Sequence, residues 1–491
     1  MCVDRLTRSE RLAPVIRRHW MFAGCMTAAV LLRIVVMVAY EPALLLQSDA
    51  YVYIERAIEV EPAHFRPIFY SLFLWPFVHL HSLQPVVLLQ HLLGLGMAAA
   101  IYVWLQRRDV PRGLAVAAAA PVALDGYQIN IEHHLLAETL FQVLTLGALL
   151  LVMRRGRPPA WETGVVGALL GLAAITRFVG AFALMPLLIY LVWRGAGWRR
   201  MVAGLAGFSL VLIAYASWFG SVHGSFGITD RQGFMLYGRV APWVVCDELD
   251  IPSYARDLCD RRPPGDRPGG NHYVFSSSPA RDISPPEGLT QEEVAGEFAM
   301  AAIRQQPLGY LRVVLGDLWH YMLPGRQTGP KDGQLRLWRF PVSFDPEAGH
   351  AYLVRVNEGS PPPAVDERRF MIRTIPAKAL RSYQSYVYTY GPLVLLMLVV
   401  SALALLWRNR CRHVKPEIFL LLSSSVILLV VPLASVQFDY RFLLLVLPML
   451  PVAAALSVSC VMQEASRSDR SQDARGTELP SEGQAGREAI R

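Results

Sequence analysis

Long apolar runs divide this chain, and its arginines are packed into the short stretches between them. A membrane-spanning helix needs about 20 mostly apolar residues, because each adds about 1.5 Å across a hydrocarbon layer of about 30 Å. Runs that meet or approach this length are 21–40, 83–105, 113–126, 135–153, 162–176, 178–193, 199–219, 391–407, 417–435 and 442–462. The segments 113–126 and 162–176 are short, yet the charge pattern requires both. With the N-terminus in the cytoplasm, five basic clusters fall on one side. They are Arg5, Arg8, Arg11, Arg17 and Arg18; Arg107, Arg108 and Arg112; Arg154, Arg155 and Arg157; Arg194, Arg199 and Arg200; and Arg408, Arg410, Arg412 and Lys415. That asymmetry is the positive-inside pattern of a polytopic membrane protein. Dropping either short helix throws a cluster to the other side.

Composition agrees. Over 491 residues, 53% are hydrophobic and 18% charged, against about a quarter charged in soluble chains. The net charge of +8 therefore reads as loop charge that sets orientation, with a basic face for membrane lipids, and not as a nucleic-acid footprint. The first run, Met21 to Tyr40, lacks a small-residue cleavage site and reads as a signal anchor.

The expected architecture is an all-α polytopic membrane protein of about ten transmembrane helices, with one large mixed extracytoplasmic loop domain. Residues 1–20 form a cytoplasmic N-terminus. Residues 21–219 form a membrane domain of about seven helices, whose first outer loop spans 41–82. Residues 220–390 form the large outer loop, 391–462 hold about three further helices, and 463–491 form a polar, disordered cytoplasmic tail. The protein would thus sit in the cell (plasma) membrane with both termini cytoplasmic. Within the large loop, Thr290 and Glu293 form a capping box, and Pro307 suits the first turn of the next helix. Cys2, Cys25, Cys411 and Cys460 are cytoplasmic or within the membrane, while Cys246 and Cys259 lie where oxidation is allowed. A disulfide between that pair is the preferred reading over two unpaired thiols. No Cys/His set has zinc spacing, so no metal site is expected.

Several polar residues stand at the outer ends of the runs. Asp49 opens Ser48-Asp-Ala-Tyr-Val-Tyr-Ile-Glu-Arg56. If this segment is helical, Asp49, Tyr53 and Arg56 share a face, and a carboxylate there can accept a proton from a hydroxyl. An ordinary helix N-cap is the bland alternative. Arg66 can hold a phosphate through two parallel hydrogen bonds, or can simply snorkel among aromatics. His134 and Glu138 share a helical face, which suits a polar cluster lining the same cavity, with Glu132 just before them; a metal pair is the less favoured reading. Arg33 lies inside the first apolar run, where a charge faces a cavity or a partner. Arg177 and Arg441 lie at outer turns, and Asp439 can pair with Arg441. No phosphate-binding glycine loop, dinucleotide fingerprint or nucleophile elbow is present.

These motifs, in this order, resemble the GT-C superfamily of polyprenyl-phosphate-sugar glycosyltransferases, which includes protein O-mannosyltransferases, aminoarabinose transferases and actinobacterial mannosyl- and arabinosyltransferases. The resemblance rests on Arg33, on Asp49-Ala-Tyr-Val-Tyr53, on Arg66-Pro-Ile-Phe-Tyr70, on Thr176-Arg177-Phe178 and on the stretch from Tyr440 to Pro448. Leu236 to Cys246, with Cys259 after it, is similar to loops of large actinobacterial members. One departure is that Ser48 precedes a lone Asp49 where many relatives carry two acids. A second acid would then come from Glu132, Glu138 or Glu55.

The resemblance implies a sugar, mannose before a pentose such as arabinose, moved with inversion from a polyprenyl phosphate to an acceptor hydroxyl. Asp49 would be the general base, and Arg177, Arg66, Arg441 and Arg33 would bind the donor phosphate. Tyr53, Glu132, His134, Glu138, Tyr237 and Arg239 would line the cavity or meet the acceptor, which could be a protein, a glycan, a lipid or a secreted metabolite. The chemistry implied needs no nucleotide and no cofactor, with a divalent metal left open. A lipid or polysaccharide transporter or flippase is the competing class. It would show inverted repeats and broken midplane helices, which the sequence does not display. A scaffold for envelope assembly would tolerate replacement of Asp49 and the arginines.

Overall fold

The computed structural model describes residues 17–476, apart from 46, 81, 155, 157, 276–277, 327–334, 344–370 and 408–409. The expected N-terminal stretch 1–16, the tail beyond 476, and Arg155, Arg157 and Arg408 lie outside the described residues. The fold is almost wholly helical, and each of the ten apolar segments contains helix. In chain order the helices are α1 (Trp20–Ala39), α2 (Gln47–Glu59), α3 (Phe69–Val78), α4 (Gln84–Gln106), α5 (Arg112–Leu124), α6 (Gly126–His133), α7 (Glu138–Val152), α8 (Ala160–Ala174), α9 (Leu184–Trp193) and α10 (Trp198–His223). They continue with α11 (Gln232–Val240), α12 (Gly270–Val274), α13 (Gln291–Gln305), α14 (Pro307–His320), α15 (Thr374–Tyr386), α16 (Gly391–Leu406), α17 (Lys415–Ser435), α18 (Arg441–Leu444) and α19 (Leu450–Gly476).

Among the described residues, α1, α4, α10 and α17 are each long and apolar enough to cross a membrane, and α5–α6 and α15–α16 raise the number to six if each bent pair is one span. These helices carry the reading of a multi-pass membrane protein. The other expected spans fall on apolar helices of fewer than 18 residues or, for α19, on its shorter portion Leu450–Ala465. The bend of 44° between α5 and α6 has a local cause. Pro121 lies inside α5, and Asp125 ends it by accepting hydrogen bonds from the Tyr127 and Gln128 amides.

Helices α8 and α10 approach closely because glycine lines their contact. A Cβ on Gly167 would meet the Gly204 carbonyl, and one on Gly207 would meet the Gly164 carbonyl. Small residues at such spacing allow van der Waals packing where lipid tails supply no hydrophobic drive.

Residues of 234–302 form their own apolar core around Phe234, Tyr237, Tyr273 and Phe298, separate from the main one. The capping box is present at the start of α13, where the Thr290 hydroxyl accepts from the Glu293 amide and the Glu293 carboxylate accepts from the Thr290 amide. Pro307 is the first residue of α14. Cys246 and Cys259 are disulfide-bonded, with Cα atoms 5.9 Å apart. So are Cys411 and Cys460, which the sequence reading placed on the non-oxidising side. Spacing along the chain hides that pair, because Cys411 sits in the turn before α17 and Cys460 on α19, 49 residues on.

Candidate functional site

A buried polar network beneath the site sets its frame. Arg33 of α1 donates Nε and Nη2 to the two Glu132 oxygens at 2.8 and 2.9 Å. Its remaining N–H groups go to the Ala29, Ala123 and Val122 carbonyls. His91 reaches Glu132 at 3.0 Å through Nδ1 and His133 at 3.1 Å through Nε2, and His133 bonds the Tyr40 carbonyl. Glu132 fits only because Gly94 of α4 lacks a side chain, since a Cβ there would overlap its carboxylate. Above this network the strap that follows α1 runs beside the segment before α7. Leu44 donates to the His133 carbonyl at 3.0 Å, and Leu135 to the Leu44 carbonyl at 3.2 Å. The strap leads into Asp49, and the second segment leads into Glu138. A two-residue strand pair, Tyr40–Glu41 with Met371–Ile372, ties the strap to the region before α15.

Three arginines and three carboxylates converge above this frame. Arg66 Nη2 donates to Asp49 Oδ1 at 2.6 Å, and Arg441 Nη1 donates to Asp49 Oδ2 at 3.0 Å. Arg177 pairs with Glu138. Arg441 Nη1 also lies 3.8 Å from Glu138 and its Nε 3.2 Å from Asp439, so one guanidinium faces all three acids. The turns that hold the arginines are tied together by the Phe69 amide, which donates to the Ile175 carbonyl at 3.0 Å. Gln142 of α7 fixes the third turn through the Leu444 carbonyl at 2.6 Å. Phe442 packs under both Arg177 and Arg441, and Trp338 under Arg441. Tyr53, one turn after Asp49, stands edge-on to Tyr70 with ring centroids 4.8 Å apart.

The charges balance, three positive against three negative. Burial alone pushes the Asp49 carboxyl up, but Arg66 and Arg441 outweigh it and hold the group well below the usual carboxylate range. Burial is the main reason that Asp439 moves the other way, despite Arg441 beside it. Burial also pushes the Tyr53 phenol up to about 12, which keeps it a neutral donor.

The sequence-expected residues divide cleanly. Asp49, Tyr53, Arg66, Glu138, Arg177 and Arg441 come together. His134 lies close by, its ring 6.3 Å from that of Trp338. Arg33 and Glu132 do not join them. All five Arg33 N–H groups are committed to Glu132 and three carbonyls, so none remains for a phosphate. Glu55 pairs with Arg56 in an exposed position, and Arg56 turns to Glu59 at 2.6 Å and not to the face of Asp49. The second acid at the site is therefore Glu138. Tyr237 is withdrawn from the cavity, because it is fully buried in the loop core with its hydroxyl on the Leu258 carbonyl at 2.8 Å. Arg239 is withdrawn as well, since it is paired with Asp317 at 2.6 Å. Trp338 escaped the sequence reading, and nothing local to it marks the role. Asp439 carried a signal as a neighbour of Arg441, but was read as an isolated pair.

A separate cleft lies away from the converging charges. It has a volume of about 970 Å³ and lies between the end of α10, residues 225–232 and the start of α13. Its polar lining includes Asp230, Arg231 and Glu292, and it excludes Asp49. It is joined to the first loop, where Asp230 bonds His64 at 2.7 Å, two residues before Arg66. The functional reading follows the converging charges. Among the described residues, the one group with three metal-type ligand atoms together is Cys411, Cys460 and Glu464, but its two sulfurs are joined to each other in a disulfide and are not thiolate ligands.

No protein-family model matches the chain, and no curated protein sequence does. Solved structures with some likeness include ArnT from Cupriavidus metallidurans bound to undecaprenyl phosphate, at 15% identity and a TM-score of 0.34 over 94% of this chain and 81% of that one. The same protein in the apo state gives 15% and 0.33. The archaeal oligosaccharyltransferase AglB from Archaeoglobus fulgidus, in complex with an inhibitory peptide and a dolichol-phosphate, gives 13% and 0.37, and this chain spans 53% of its length. At such scores the likeness carries no functional weight, so the reading below rests on side chains.

Proposed function

We propose that the chain is a membrane glycosyltransferase that moves a sugar from a polyprenyl-phosphate donor to an acceptor hydroxyl on the extracytoplasmic side, with inversion. The observation that carries this reading is the Arg441 guanidinium shared between Asp49 at 3.0 Å and Glu138 at 3.8 Å, flanked by Arg66 and Arg177. Such a cluster is neutral only while the site lacks an anion. A phosphate that enters competes with the carboxylates for the same N–H groups. As Arg66 and Arg441 turn to it, the Asp49 carboxylate loses its hold and its basicity rises.

Asp49 then takes the proton from the acceptor hydroxyl. The hydroxyl oxygen attacks the anomeric carbon, and the bond from that carbon to the phosphate oxygen breaks on the opposite face. The electron pair leaves on the polyprenyl phosphate, whose added negative charge the arginines stabilise in a partly dry site. Tyr53 is a neutral hydroxyl within reach of this charge. The scheme needs no nucleotide and no resident cofactor. Mannose is the proposed sugar, ahead of a pentose; the acceptor is a protein, glycan, lipid or secreted metabolite.

The purified protein, given a radiolabelled polyprenyl-phosphate mannose and an envelope extract, should release polyprenyl phosphate and form a product of inverted anomeric configuration. Product with retained configuration, or full transfer by Asp49→Asn, would overturn the mechanism. Substrate flux across proteoliposomes with no covalent product would favour a transporter.

A further inference from the structure

The three arginines at Asp49 have a common limitation as phosphate ligands: each already faces a carboxylate. A phosphate arriving there must displace an existing partner. Arg326 differs. It follows Pro324-Gly325, just beyond α14, and among the described residues it has no salt-bridge partner. Its guanidinium lies 3.6 Å from the centre of the Tyr127 ring, 5.3 Å from that of Tyr388 and 5.5 Å from that of Tyr440. Tyr440 is the residue before Arg441, so Arg326 packs on the turn that carries a member of the charge cluster.

What marks Arg326 is which of its nitrogens are unused. Nε and Nη2 are both buried, and among the described residues neither has a hydrogen-bond partner. In a planar guanidinium the Nε and Nη2 hydrogens point the same way, which makes them a fork for two oxygens of one anion. This protein fills that same fork elsewhere, since Arg33 uses Nε and Nη2 for the two oxygens of Glu132 at 2.8 and 2.9 Å. Buried donors are nearly always paired. The tyrosine rings fix the plane of the guanidinium and strip part of its water, but offer its edge no acceptor. Arg239 also leaves Nε and Nη2 unpaired, yet its charge is met by Asp317 at 2.6 Å and it sits against the separate loop core.

We infer that Arg326 binds a phosphate oxyanion in this site through its Nε and Nη2 edge. On the proposed function, that phosphate is the donor's, and the inference rests on that reading for its lipid part. Arg326 would seize the incoming phosphate first, because among the described residues it loses no carboxylate partner by doing so, whereas Arg66, Arg177 and Arg441 each do. Arg66 and Arg441 would then be drawn from Asp49.

The test uses the full chain in nanodiscs with two probes, undecaprenyl phosphate and inorganic phosphate. Lipid binding is read by native mass spectrometry, and phosphate binding by protection from thermal unfolding. Arg326→Gln should weaken undecaprenyl phosphate binding by roughly 10- to 100-fold, as expected for losing a charge-assisted pair of hydrogen bonds. Arg326→Lys, which keeps the charge and loses the fork, should fall between. It also serves as the folded control, with an unfolding curve matching the wild type. Equal lipid affinity in all three proteins would overturn the inference and leave the proposed function standing. Protection by inorganic phosphate that needs Arg326, without any binding of the lipid, would keep the anion site and remove the donor reading. Binding of neither probe would overturn both.

Discussion

Glu132→Gln should unfold this protein far more readily than its distance from Asp49 suggests. Arg33 and Glu132 are 3% and 0% exposed, and they meet through two hydrogen bonds. Removing the carboxylate charge leaves the buried Arg33 cation with neutral acceptors alone, the new amide oxygen and the Ala29, Ala123 and Val122 carbonyls. The cost of breaking such a buried pair from one side is about 3–5 kcal/mol. His91 also faces Glu132, at 3.0 Å, so its bond weakens with the lost charge. Replacing both members with apolar residues, as in Arg33→Met with Glu132→Leu, should recover most of the loss, because desolvation offsets much of what the pair contributes. Denaturation in mixed detergent micelles, followed by tryptophan fluorescence, would give the three stabilities. The double variant should also bind undecaprenyl phosphate as the wild type does. If Arg33→Met stays folded and loses that lipid, Arg33 is a phosphate ligand after all, and assigning its five N–H groups to structure is mistaken.

Other outcomes follow from the same geometry. Asp49→Asn should lower transfer by at least about 100-fold, the usual contribution of a positioned base, and should lower stability by an amount that stays constant from pH 5 to 8, because Arg66 and Arg441 lose the carboxylate between them; activity of the purified, folded variant, compared with Arg66→Gln as a control for the lost clamp, decides it. Asp49 has a depressed folded value, so its contribution to stability is complete above the unfolded carboxylate value of about 4. That contribution is lost only as pH falls below it. The Asp49 contribution to unfolding should therefore be constant from pH 5 to 8, and a difference between wild type and Asp49→Asn that changes across this range would contradict the arginine clamp. Cys246→Ser should cost the loop core about 3 kcal/mol, because the bond closes a loop of 13 residues; faster proteolysis between 246 and 303 is the readout. Glu138→Gln should release Arg177 and slow transfer, whereas Glu55→Gln, at an exposed pair with Arg56, should do neither.

The sequence carried the helices well because a span is a local property: about 20 apolar residues with charge at the ends. Each of the ten runs contains helix, although 442–462 is broken between α18 and α19 and 135–153 is helical only from Glu138, and the capping box and Pro307 mark real helix starts. Span length was less legible. Helices α7, α8 and α9 are shorter than a bilayer crossing, and hydropathy does not register the turns that interrupt an apolar run. At the site, Asp49, Arg66, Arg177 and Arg441 were readable because each charge stands at a helix end. Glu132 and Glu138 could not be told apart, being six residues apart in one polar stretch. What separates them is Gly94 and His91 on α4, which claim Glu132 from another part of the chain. Tyr237 and Arg239 were assigned to the cavity from a motif alone, and the loop core absorbs them. Arg326 had no sequence signal, since its meaning comes from three tyrosines drawn from distant segments.

The central claim is that the Asp49–Arg441 cluster is where a lipid-linked sugar reacts. A cryo-electron microscopy structure of the full chain with a non-hydrolysable polyprenyl-phosphate sugar analogue tests it most directly. The account predicts phosphate oxygens on Arg441, Arg66 and Arg326, with the anomeric carbon facing Asp49. An analogue lodged instead in the cleft beside Asp230 and Glu292, with Asp49 still clamped between Arg66 and Arg441, would contradict it.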